Sequence, residues 1–103
     1  RFDNLSPAVL RVLRQIAQAA ERHATPLTLC GEMAGRPLEA MALIGLGFRS
    51  ISVAPASVGP IKAMVLSLDA GQLAERLDAL LAGGETSLRE DLKRFAAENG
   101  VQA

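Results

Sequence analysis

One thiol stands in the chain, Cys30, inside the stretch LTLCGEMAG at positions 27–35. It ends a short apolar run and is followed at once by Gly31, by the carboxylate of Glu32 and, a little further on, by Gly35. A free thiol has an ordinary pKa of about 8.5, so at neutral pH it is mostly protonated. It can therefore give a proton to a carbanion, or act as a nucleophile once it has lost that proton. Glycines beside it let the backbone come close to a ligand. Position alone leaves a second reading open, in which Cys30 is a small buried hydrophobe at a strand end. Glu32 is equally open, as a ligand contact or as a solvated loop carboxylate.

The other polar groups offer less. His23 falls at the end of a predicted helix, where a cation meets the negative end of the dipole, and a structural role is expected. No second histidine stands at ligand spacing and Cys30 has no CxxC partner, so no zinc site is expected. Ser52 and Ser57 flank the end of a strand candidate, with Ser57 read as a helix cap. Met33, Met41 and Met64 read as packing residues. There is no GxSxG, P-loop or GxGxxG pattern.

Several elements must position these residues. Ser6-Pro7 reads as an N-cap with proline at the first helical position, opening a helix that runs to about His23. Its apolar repeat Val9, Leu13, Ile16 and Ala20 is expected to face inward, opposite Arg11, Arg14, Gln18 and Glu21. Positions 27–30 are a short strand, 31–35 a loop, and Arg36-Pro37 starts a second helix bracketed by Gly45 and Gly47. FRSISV, 48–53, is a second strand with Ile51 and Val53 on one face. A third helix is expected over 58–68, with Pro60 in its first turn. Asp69 caps a fourth with the stripe Leu73, Leu77, Leu80 and Leu81, ended by Gly83-Gly84. Ser87 to Glu90 is a capping-box pattern opening a last helix with Leu88, Leu92, Phe95 and Ala96 inward and Gly100 beyond it.

Two short strands joined by a crossover helix make a βαβ unit with parallel strands. Two parallel strands cannot bury both their faces, so the fold reads as cut from something larger. The strand spacing suits a (β/α)8 barrel, where reactive groups sit at the carboxyl ends of the strands. That is where Cys30 falls.

Composition narrows the setting. With 103 residues there is room for one domain or part of one. Half the residues are hydrophobic and only 3% aromatic, so the core is aliphatic and some apolar surface is expected to remain for a partner. Eleven basic residues balance eleven acidic ones, which argues against nucleic acid or an anionic membrane as partner. One cysteine makes no internal disulfide, and no apolar run approaches a membrane span, so a cytoplasmic setting is expected. The chain opens at Arg1 rather than methionine, as an excised piece would.

Read together, LCGEMAG and ALIGLGFRSISVAPASVGPIK resemble the C-terminal end of the phosphoenolpyruvate-utilising enzymes. The closest likeness is to their phosphoenolpyruvate–protein phosphotransferase branch, enzyme I of the bacterial phosphotransferase system, of either the sugar-related or the nitrogen-related type. NLSPAVLRVLRQIAQAA is similar to the helix that precedes the cysteine strand there, so the likeness runs through essentially the whole chain in order. It implies a dimeric cytoplasmic enzyme with a phosphoenolpyruvate-binding barrel. Such an enzyme moves phosphate from phosphoenolpyruvate to its own histidine and on to the carrier HPr, releasing pyruvate. It implies that Cys30 is the general acid that protonates C3 of the enolate, with Gly31 and Glu32 as substrate-contact candidates. The Mg2+ ligands, the phosphate-clamping arginines and the phosphorylated histidine are implied to lie upstream, and Arg1 is not one of those arginines. Ala54, Pro55 and Gly59-Pro60 depart from the family's commoner Ser-Ala and Pro-Arg.

Two further readings remain. One is the sister branch, pyruvate phosphate dikinase or phosphoenolpyruvate synthase, and the other a non-catalytic helical interaction module. In the leading reading the isolated chain is expected to be inactive and, with barrel edges open, to associate with itself.

Overall fold

The computed structural model describes residues 5–25, 27–30, 32–83 and 88–103, with positions 29, 30, 32 and 33 described by their backbone. The elements are α1 (Pro7–Arg22), β1 (Thr28–Cys30), α2 (Glu32–Gly35), α3 (Pro37–Leu46), β2 (Ser50–Ser52), a 3₁₀ turn (Pro55–Ser57), α4 (Val58–Leu66), α5 (Ala70–Ala82) and α6 (Arg89–Glu98). The strands are parallel, with Thr28 beside Ser50, Leu29 beside Ile51 and Cys30 beside Ser52. The expected βαβ unit is therefore present, within a mostly helical chain. Among the described residues the sheet has these two strands alone.

Helix α3 is the centre. Its residues 38–43 and Leu46 are buried, and it touches α1, α2, α4, α5 and α6. A helix apolar on every side is stable only when surrounded. Gly47 ends it at φ 115°, the left-handed conformation that favours glycine. There the Gly47 N–H donates to the Ile44 carbonyl and the Phe48 N–H to the Leu43 carbonyl, the doubly bonded end that such a glycine permits. Gly45 has a different reason. A Cβ there would lie 2.5 Å from Leu77 Cδ1 and 2.8 Å from Leu73 Cγ, so a bare Cα is what lets α5 close on α3.

Helix α1 starts as expected, with Ser6 in extended backbone, its hydroxyl accepting from the Val9 amide, and Pro7 at the first helical position. Its buried side differs from the expected one. Pro7, Leu10 and Ala17 are buried, while Leu13 is half-buried and Val12 and Ile16 are 55% and 45% exposed. The apolar arc is wider than one interface, and α5 selects which part is used. Arg14 pairs with Asp78 at 2.9 Å and Arg11 donates to the Leu81 carbonyl, turning the Val12–Ile16 side outward.

Other expectations needed correction near the strand ends. The loop predicted over 31–35 contains a single helical turn, α2, and Gly31 lies outside the described residues. Ser57 makes no side-chain cap. Pro55 opens a turn that runs directly into α4, leaving Ser57 in helical rather than extended backbone. Helix α4 stops at Leu66, short of the expected Leu68, where the Ser67 hydroxyl donates back to the Ala63 carbonyl at 2.9 Å. Val58, Val65 and Leu66 leave an exposed apolar stripe on it, Leu66 at 78%.

The last two helices complete the core. Leu73, Leu77 and Leu81 are buried with Leu80 half-buried, and Leu88, Leu92, Phe95 and Ala96 face inward. The Arg76 guanidinium lies over the Phe95 ring at 5.4 Å. The proposed cap Ser87 and the glycine Gly84 lie outside the described residues. Asp69 does cap α5, its carboxylate accepting from the Gln72 amide at 3.1 Å. Asp69→Ala is expected to cost about 1 kcal/mol and Asp69→Asn only a few tenths, measured as urea midpoints. Equal midpoints for Asp69→Ala and the parent would show the cap idle.

Candidate active site at the carboxyl ends of the strands

Cys30 is the last residue of β1, and its partner in register, Ser52, is the last residue of β2. Alternation along a strand puts positions 28 and 30, and likewise 50 and 52, on one face. Ile51 and Val53 belong to the other face and pack against the helical core, whereas Ser50 and Ser52 are exposed. On the open face the Thr28 and Ser50 hydroxyls meet at 3.1 Å. One rung pair further along lie Cys30 and Ser52, at the end where chemistry was expected.

The segments that leave the two strands meet at this end. Helix α2 touches both strands and α3. A Cβ on its last residue, Gly35, would lie 3.3 Å from the Ser57 hydroxyl. Ser57, read from sequence as a cap, is thus half-buried against the turn that follows β1. The structure brings the backbones of Cys30 and Glu32, Gly35, Ser52 and Ser57 to one end of the sheet, while Gly31 lies outside the described residues. His23 is elsewhere, exposed at the end of α1 with its carbonyl accepting from Thr25 Oγ1. Met41 and Met64 are buried in the core, as expected of packing residues.

A groove of about 480 Å³ lies at the other end of the strands, between Glu21, Thr25, Thr28, Phe48, Arg49 and Ser50. The backbone of Cys30 lies two rungs away from it, at the other end of β1. Among the described residues no three of His, Cys, Asp and Glu converge where a metal ion could be held. No helix among them is long and apolar enough to cross a membrane.

One charged residue escaped the sequence reading. Glu39 is 2% exposed, with Arg36 Nη1 and Arg89 Nη1 each 3.4 Å from its carboxylate oxygens. A signal was there: Glu39 is the only charged residue in PLEAMALIGL, and a helix apolar all round must bury whatever it carries.

Residues 1–70 match the family model described as "PEP-utilising enzyme, PEP-binding domain". Over 97% of its length the chain is 42% identical to proteins of Salmonella typhimurium and of Escherichia coli, each named "Phosphoenolpyruvate-dependent phosphotransferase system". Over 78% of its length it is 36% identical to a "Phosphoenolpyruvate-protein phosphotransferase" of Cupriavidus necator. The chain spans about 14% of the length of each of these relatives. No solved structure matches it at the same stringency.

Proposed function

The chain belongs to the phosphoenolpyruvate-utilising enzymes, and from that premise we propose that it is the Cys30-bearing part of a phosphoenolpyruvate–protein phosphotransferase. The names of the relatives above favour this branch over the dikinases. The observation that carries the reading is the place of Cys30, at the carboxyl end of β1, in register with Ser52 and beside the converging segments after both strands. Barrel enzymes gather their reacting groups at that end, and these two strands would be the last of such a barrel.

In the proposed reaction the bond from phosphorus to the enol oxygen breaks and the phosphoryl group passes to a histidine outside this segment. The electrons left behind make the enolate of pyruvate. Its C3 takes the proton of the Cys30 thiol, giving pyruvate and a thiolate, and water restores the proton. In reverse the thiolate removes a methyl proton. An ordinary thiol suits both directions, because its pKa of about 8.5 leaves it mostly protonated yet readily ionised. Glu32 and Gly31 are proposed to border the substrate.

Phosphoryl transfer needs Mg2+ and cationic groups around the moving phosphate. These are proposed to come from the parts of the enzyme outside this segment, together with the surface that meets an HPr-type carrier. A cytoplasmic setting and self-association through the open sheet edges belong to the same reading, and the isolated chain is expected to form no pyruvate.

The test is Cys30→Ser and Cys30→Ala in the intact enzyme, with enzyme phosphorylation and pyruvate formation followed separately. Loss of a positioned acid is expected to slow proton delivery to C3 about a hundredfold, with the Michaelis constant for phosphoenolpyruvate nearly unchanged. Pyruvate made at the parental rate by both variants would overturn the assignment.

A further inference from the structure

Glu39 sits where two distant parts of the chain meet. It occupies the first turn of α3, where a carboxylate also favours the helix dipole. One of its oxygens accepts from Arg36, the residue directly after α2, and the other from Arg89, the first residue of α6. The Glu39–Arg89 bond joins residues 50 apart in sequence. Arg14–Asp78 and Arg76–Glu98 also join different helices, but their carboxylates are exposed, whereas that of Glu39 is buried. A buried carboxylate is costly unless its cations stay in place, so Glu39 holds both arginines to it.

Arg36 is the hinge of that arrangement. Five residues separate it from Cys30, and the turn between them, α2, rests on both strands and on α3. Whatever fixes Arg36 limits how far the segment leaving β1 can move. Arg89 makes α6 a party to the same bond, although α6 lies beyond the residues that match the family model.

We infer that Glu39 is a positioning residue: it ties α6 to the segment after β1, so that docking of the C-terminal helix sets the conformation presented beside Cys30. The inference rests on the reading of Cys30 as the acting acid, and its test does not use catalysis. A purely structural Glu39 would change global stability without changing the environment of the thiol in the folded chain.

Cys30 is the chain's single cysteine, so alkylation by iodoacetamide reports one site. In the 103-residue chain, Glu39→Gln and Arg89→Gln are expected to alkylate about tenfold faster while folded, as a locally loosened segment opens more often. The double variant is expected to be no faster than Glu39→Gln, which already removes the Arg89 bond together with the Arg36 one. Arg89→Lys is expected to return the rate toward the parental value. Arg14→Gln, which breaks the remote pair with Asp78, is expected to lower the melting temperature alone.

Parental or slower alkylation in folded Glu39→Gln and Arg89→Gln would overturn the inference, as would additive effects in the double variant. Should Glu39→Gln not fold, Arg89→Gln decides, since the Arg89 side chain is 35% exposed and its removal leaves Arg36 on Glu39. An intact enzyme that stays fully active with Cys30→Ser would sink the acid reading without altering these rates.

Discussion

Gly45→Val is expected to destabilise the fold by about 3 kcal/mol, the upper end of what overpacking costs. The clash begins at Cβ itself. Leu77 Cδ1 at 2.5 Å is the tip of a side chain and can swing, but Leu73 Cγ at 2.8 Å is a branch point on a fully buried residue. Relief would require α5 to back away from α3, and Arg11 and Arg14 hold α5 to α1, which itself touches α3. Gly45→Ala separates the two contributions. It adds only Cβ, and its better helix propensity, about 1 kcal/mol, offsets part of the clash. Urea titration followed by circular dichroism should rank parent, alanine and valine in that order. A valine variant as stable as the parent would mean that the two helices do not touch at backbone distance.

Phe95→Ala is expected to be at least as damaging, at about 3–5 kcal/mol. The ring is 1% exposed and lies in one cluster with Met41, Leu43, Leu73, Leu77 and Leu92. It also carries the Arg76 guanidinium on its face, an interaction of about 0.5–1 kcal/mol at a partly exposed site. Phe95→Leu, which refills most of the volume, should retain much of the stability. Arg76→Ala should lose only the smaller amount. Against a total of about 5–15 kcal/mol for a domain, Phe95→Ala should leave a measurable unfolded fraction near physiological temperature. Loss of under about 1 kcal/mol would show that α6 is not docked where a buried aromatic costs what it normally does.

Much of this architecture was legible because single residues decide it. Ser6-Pro7, Gly47 and Asp69 each satisfy backbone groups in a way few alternatives can, and all three act as expected. The stripe on α5 was equally plain, since three leucines at helical spacing leave one side to bury. Helix α1 was less so. Its apolar arc is broad, and only the arginines that reach α5 decide that Leu10 and Ala17 go in while Val12 and Ile16 stay out. The turn α2 carries no periodic signal in four residues. Ser57 has the right residue type for a cap and the wrong backbone, because Pro55 commits the chain to a turn before it arrives. Cys30 was placed correctly at a strand end, yet Glu39 was passed over, because one of its two partners, Arg89, lies 50 residues away on α6.

The hydrogen bond from the Leu88 amide to the Leu5 carbonyl spans most of the chain. A ribosome adding about 5–20 residues per second needs on the order of ten seconds to make the roughly 80 residues between them. For most of that interval α1 has been made while α5 and α6, which cover much of α3, have not. Contacts of such high sequence separation also slow the search for the native topology. Protection by a nascent-chain chaperone would matter most in that window, while the leucines that α5 and α6 will cover still face water.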